Sequence, residues 1–144
     1  MAIQWKDAYN IGNAEIDRQH QEIFEKANAF LAVMDIAALS EYAISFFQDT
    51  RDHFLAEEDL MRGLNYPAID RHIQQHIELL ERLNRIAAKI GDEEMNHHEL
   101  ELFLADFVLD HVLTYDIKLA TYVSGETQAH APVVEGELSS QFGA

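Results

Sequence analysis

The stretch IDRHIQQHIELLERLNRIAAKI, residues 69–90, decides the fold class of this chain. Apolar or imidazole side chains recur in it at intervals of three and four, which places them on one face of an α-helix. Pro67 stands where such a helix begins and Gly91 where it ends, as is typical of these residue types. The pattern predicts an amphipathic helix whose buried face contains His72 and His76.

Three other segments have the same periodicity, and glycine and proline are scarce within them. Asp35 is the expected N-cap of the second helix, and Asn96 with Glu99 resembles a capping box at the start of the fourth. The four expected helices span about residues 15–34, 35–62, 67–91 and 96–123. Their short connections predict an all-α, up-down-up-down four-helix bundle with an irregular N-terminal arm.

The bundle domain is expected to occupy residues 1–123, and residues 124–144 to form an acidic, poorly ordered tail. The tail contains Gly125, Pro132 and Gly136, three acids and neither lysine nor arginine. Its few apolar residues are too sparse to offset the entropy that ordering them would cost.

Composition excludes several classes of function. The chain of 144 residues is 48% hydrophobic and has no cysteine, which excludes iron–sulfur clusters, zinc-thiolate sites and thiol catalysis. Its formal charge of −16 disfavours binding to nucleic acid or to acidic membrane headgroups. Neither a signal peptide nor a membrane-spanning stretch is evident, so a cytoplasmic location is expected.

Polar side chains interrupt the apolar face of every expected helix. A buried, unpaired imidazole costs a few kcal/mol and a buried carboxylate costs more, so several of them on one axis need a shared partner. Neutral imidazole and carboxylate are side chains that bind iron and related metals, and the pattern therefore predicts a metal centre. The residues concerned are His20, His53, Glu57, His72, His76 and His111.

The spacing of these residues supports a shared site. His53 and Glu57 are four residues apart, as are His72 and His76, so each pair lies on one face of its helix. Asp116 follows His111 by five residues, about 140° around a regular helix. Its participation requires a wide turn or an early helix end, and spacing alone leaves its role open.

Histidines outside the apolar faces are expected to be exposed and to bind no metal. These residues are His97, His98 and His130.

The order of the motifs resembles the hemerythrin family in its bacterial single-domain form. The resemblance covers about residues 5–123 and rests on Trp5 and on the motifs IDRQH, HFLAEEDLM, GLNYP, HIQQH and HVLTYD. The sequence departs from the family pattern in three places. Phe107 occupies a position where the family often has tryptophan, the link between the first two helices is short, and no family counterpart is matched to the acidic tail.

The resemblance implies a non-haem di-iron centre that binds dioxygen reversibly. One iron would be held by His72, His76 and His111 and the other by His20 and His53, with Glu57, Asp116 and a solvent-derived oxo or hydroxo group as bridges. The second iron keeps an open position for dioxygen. The surrounding pocket is expected to contain Phe24, Phe54, Phe107, Val108 and Leu109.

Three functions are consistent with such a centre. The leading one is carriage, storage or scavenging of dioxygen, with no enzymatic activity. The alternative is an oxygen or redox sensor that acts on a partner protein, although the sequence identifies no partner or electron donor. An enzyme is disfavoured because no dedicated acid, base or reductant-binding site is evident.

Overall fold

The computed structural model describes residues 3–129. It confirms the all-α, up-down-up-down four-helix bundle. A turn of 3-10 helix (Asp7–Tyr9) precedes α1 (Ala14–Ala32), α2 (Ile36–Gly63) and α3 (Ile69–Gly91). The fourth rod is composite: it consists of α4 (His97–Ala105), π1 (Asp106–Asp110), π2 (Val112–Asp116) and α5 (Ile117–Ala129).

Side-chain caps fix two of the helix starts. The Asn13 side chain accepts a hydrogen bond from the Ile16 amide at the start of α1. Asn96 accepts one from the Glu99 amide, 2.7 Å away, as the capping-box pattern predicts. Asp35 occupies the N-cap of α2 but makes no side-chain cap bond.

The first helix ends earlier than the periodicity predicts. The sequence pattern extends the first helix to about residue 34, whereas α1 ends at Ala32 and the Met34 side chain is 83% exposed. Val33 adopts an extended conformation (φ −76°, ψ 128°), so the chain turns toward α2 after Ala32. Asp35 is extended as well (φ −89°, ψ 125°), so the turn between the two helices interrupts the apolar spacing before α2 begins at Ile36.

Two apolar clusters fill the bundle, one on each side of a polar layer. Phe24, Phe54 and Leu83 belong to the larger cluster, and Met61 and Leu119 to the smaller. On every helical rod the inward-facing histidines and acids lie in sequence between residues of the two clusters. Each fully buried large side chain contributes about 1.5–3 kcal/mol, so apolar packing on both sides stabilises the polar layer between them.

The N-terminal arm is pinned to α1. The Asn28 side chain bonds both the amide and the carbonyl of Ile3, each at 2.7 Å. Trp5 consequently packs edge-on against Phe24, with its ring centroid 6.3 Å from that of His20.

The last helix, α5, continues past the expected end at Val123 to Ala129. The poorly ordered tail predicted from residue 124 thus begins within a helix. Residues 130–144 of that prediction lie outside the described residues. No helix in residues 3–129 has the length and apolar character needed to cross a membrane.

Candidate metal centre

All seven residues expected to bind metal lie together in the polar layer. They come from every rod of the bundle, and each is at most 6% exposed. His20 lies on α1, His53 and Glu57 on α2, His72 and His76 on α3, His111 between π1 and π2, and Asp116 at the end of π2.

Glu57 lies at the middle of this layer and faces histidines with both carboxylate oxygens. Its Oε1 is 2.9 Å from His72 Nε2 and 3.0 Å from His76 Nε2. Its Oε2 is 3.2 Å from His20 Nε2 and 3.4 Å from His53 Nε2. One carboxylate therefore connects two separate groups of imidazoles.

Asp116 divides its oxygens in the same way. Oδ1 is 3.0 Å from His72 Nε2 and 3.1 Å from His111 Nε2, whereas Oδ2 is 3.0 Å from His20 Nε2. Each of the two carboxylates therefore faces histidines of both groups and is a candidate bridge.

The π-helical turn explains how Asp116 reaches this position. A π-helix forms i→i+5 hydrogen bonds, so residues five apart lie close to the same face. π2 begins directly after His111 and ends at Asp116. The wide turn that the sequence required is therefore present, and it reduces the angular offset between His111 and Asp116 that a regular helix would impose.

The donor atoms form two groups, and within each group they lie within 4.8 Å of one another. The first group contains Glu57, His72, His76, His111 and Asp116. The second contains His20, His53, Glu57 and Asp116.

Several of these donors lack aligned hydrogen bonds, which supports a shared metal partner. Both oxygens of Asp116 and both ring nitrogens of His111 are buried and make no hydrogen bond within the described chain. Their contacts near 3 Å are ion-pair distances without hydrogen-bond geometry. A buried unsatisfied polar group costs about 1–3 kcal/mol, whereas a metal ion would satisfy these donors together. The donor set fits iron.

The carboxylates raise the proton affinity of three imidazoles. Burial alone lowers the pKa of histidine, but Asp116 and Glu57 outweigh it here. The pKa is raised to about 10 for His20, to about 9 for His111 and to about 8 for His72. These pKa values therefore favour the protonated form of all three imidazoles at neutral pH in the metal-free protein.

The pKa values of His53, Glu57 and Asp116 shift for related reasons. Burial lowers the pKa of His53, which has weaker carboxylate support. Burial alone would raise the pKa of Glu57 and of Asp116, but the surrounding imidazoles outweigh it and lower both. The two acids are accordingly ionised and available as metal ligands.

Two further polar residues contact the outer nitrogens of two imidazoles, that is, the Nδ1 atoms of His53 and His76, which face away from the centre. The sequence analysis missed both residues. His53 Nδ1 is 2.7 Å from Gln19 Oε1, and His76 Nδ1 is 2.8 Å from Glu58 Oε2. The available signal was position, because each partner directly precedes or follows a predicted ligand in sequence.

Of the histidines expected to lie off the site, His97 and His98 are exposed. His97 Nε2 bonds the carbonyl of Leu31 at 2.6 Å, which ties the start of α4 to the end of α1. His130 lies outside the described residues.

A family model for the hemerythrin HHE cation-binding domain matches residues 12–123. The chain belongs to the hemerythrin family. The matched range contains all seven candidate ligands, the two bridging carboxylates among them.

Relatives in the hemerythrin family share modest identity with the chain over most of its length. A bacteriohemerythrin of Stenotrophomonas maltophilia is 28% identical, covering 95% of this chain and 84% of that protein. A myohemerythrin of Theromyzon tessulatum is 23% identical, covering 80% and 88%. The first alignment must reach into residues 124–144, so part of the tail does have a counterpart in a relative, contrary to the sequence analysis.

The hemerythrin fold is also found by structural comparison. A crystal structure of a hemerythrin mutant superposes with a TM-score of 0.76 at 21% identity, covering 86% of this chain and 99% of that one. This likeness concerns the fold alone.

A small cavity of about 10 Å³ adjoins the centre. That size is near the lower limit for one water-sized molecule. It is lined by His20, Ile23, Phe24, His53, Phe54, Phe107, Val108, His111, Val112 and Asp116. Leu109, expected in the pocket, is not in this lining, whereas Ile23 and Val112 are additional members.

Proposed function

We propose that this chain binds dioxygen reversibly at a di-iron centre, for carriage, storage or scavenging, and that it is not an enzyme. The observation that carries the proposal is the pair of donor groups joined by Glu57 and Asp116 beside a small apolar cavity. Membership of the hemerythrin family and the names of the relatives support the same function.

The ligand set divides unequally between the two metal positions. His72, His76 and His111 would hold one iron, and His20 and His53 the other, with Glu57 and Asp116 donating to both. The second position has one imidazole fewer, which leaves room for an external ligand. Both of its histidines line the cavity. Two ferrous ions held here would supply the electrons that reversible dioxygen binding requires.

The lining of the cavity favours binding over catalysis. Its titratable members are all candidate ligands, namely His20, His53, His111 and Asp116. The rest of the lining is apolar, and Phe54 packs flat against His76 with ring centroids 3.8 Å apart. Among the described residues the cavity therefore offers no spare acid or base for a reaction, and its apolar walls keep water from the bound ligand.

The test is anaerobic loading with ferrous iron, followed by exposure to oxygen and then to argon while the visible spectrum is recorded. The proposal requires two irons per chain and a visible band that appears with oxygen and disappears without it. His98→Ala, which removes an exposed histidine away from the centre, is the matched control. A stoichiometry of one iron, or immediate oxidation that argon does not reverse, would contradict the proposal.

A further inference from the structure

Two imidazoles of the centre have chemically different partners on their outer nitrogens. We infer that Gln19 and Glu58 are positioning residues that make the two metal positions electronically unequal. Gln19 leaves His53 a weaker donor and Glu58 makes His76 a stronger one. The inference rests on the proposed function, because it concerns the ions that the centre would hold.

The orientation of Gln19 follows from its other hydrogen bond. Its Nε2 donates to Glu15 Oε1 at 3.0 Å, and Glu15 is itself paired with Arg18 at 2.6 Å. The amide oxygen is therefore the atom that faces His53, at 2.7 Å. An oxygen only accepts, so His53 Nδ1 carries the proton and its Nε2 lone pair points to the centre.

Glu58 has the same geometric role with a negative charge. Its Oε2 is 2.8 Å from His76 Nδ1, and the residue is only 9% exposed. The nearest cation is Arg62, whose Nη2 is 3.9 Å from the other carboxylate oxygen and is largely in solvent. His76 therefore donates its Nδ1 proton to a carboxylate whose ion pair with Arg62 is long and solvent-exposed.

The difference in partner changes the donor strength of each imidazole. A carboxylate withdraws the Nδ1 proton more strongly than an amide does, which raises the basicity of the opposite nitrogen. The ion bound by His76 thus receives more electron density than the ion bound by His53. His53 lines the cavity and His76 does not. The weaker donation therefore falls at the position with room for an external ligand, where it favours the ferrous state.

Exchanging the partners tests the inference. Gln19→Glu gives His53 a carboxylate, and Glu58→Gln gives His76 an amide, with little change in side-chain shape. Gln48→Glu and Glu41→Gln, at exposed positions of α2, make the same changes of charge away from the centre. The measurements are the midpoint potential of the iron-loaded protein and the imidazole N–H resonances of the cobalt-loaded protein.

The two substitutions should act in opposite directions. Gln19→Glu should lower the midpoint potential and shift the N–H signal of His53, whereas Glu58→Gln should raise the potential and shift that of His76. Glu58→Gln should also weaken cobalt binding by roughly tenfold or more, as is typical when such a partner is lost. The two control variants should change none of these quantities.

Midpoint potentials that shift in the same direction in both variants would mean structural damage and would overturn the inference. Potentials equal to those of the control variants would also overturn it. Failure of the proposed function has a different signature. Loaded protein that binds no oxygen reversibly, but whose cobalt resonances respond as described, refutes the oxygen role and leaves the inequality of the two positions standing. Reversible oxygen binding without these shifts refutes the inference alone.

Discussion

Metal loading should expel protons from the centre, and the raised histidine pKa values determine how many. In the metal-free protein His20, His111 and His72, with pKa values of about 10, 9 and 8, are protonated at neutral pH. Metal ions bind only neutral imidazole, so filling both positions near pH 7 should release about three protons per chain.

Raising the pH should destabilise the metal-free protein and stabilise the metal-loaded protein. A histidine with a raised pKa stabilises the fold fully below its unfolded value of 6.5, and this contribution is lost as the pH rises through the folded values of about 8 to 10. The metal-loaded protein gains instead, because proton competition for the imidazoles disappears. The stabilisation by metal should therefore grow steadily from about pH 6 to about pH 9.

Cobalt is a suitable probe, because its binding does not depend on oxygen chemistry. Melting temperatures with and without cobalt across this pH range give the stabilisation. Calorimetric titration in two buffers of different ionisation enthalpy counts the protons released. His98→Ala, which alters an exposed histidine, should give an identical profile. A melting-temperature difference that is constant with pH, or a binding heat independent of the buffer, would refute the argument.

Three further predictions concern the ligands, the cavity and the tail. His53→Ala and Glu57→Ala should each abolish the oxygen-dependent spectrum, the first by removing a ligand beside the cavity and the second by removing a bridge. Retention of the spectrum in either variant would exclude the ligand assignment. Phe107→Ala should enlarge the cavity and lower the free energy of unfolding by about 3–5 kcal/mol, which denaturation measures. It should also speed autoxidation by admitting water, which the decay of the visible band measures. An unchanged oxidation rate would mean that Phe107 does not protect the centre. Deletion after Ala129 should leave the melting temperature and iron content unchanged, whereas deletion after Ser124 removes the end of α5 and should lower the melting temperature. A large drop in melting temperature after deletion of residues 130–144 would show that these residues support the bundle.

The sequence predicted the helices because their signals are local. Periodicity, the Asn96 cap and Gly91 at the end of α3 act within a few residues of the backbone they shape. The error at Met34 has the same origin, since an apolar residue at the right spacing does not reveal that the chain has already turned. The π-helical turn was inferable only as a condition on Asp116, because the bonds that widen the helix leave no distinct residue pattern.

What the sequence determined by itself is which residues face inward: the i,i+4 pairs on α2 and α3 are fixed by the helical repeat. What only the tertiary structure decided is which atoms meet. The division of the Glu57 oxygens between two groups of histidines depends on how the four helical rods pack. The same packing brings Gln19 to His53 and Glu58 to His76, and it determines which residues line the cavity. The reason is physical. A helix sets the direction of a side chain from its own backbone, but distances near 3 Å across a bundle depend on the relative rotation and height of neighbouring helices, which the packing of the two apolar clusters sets.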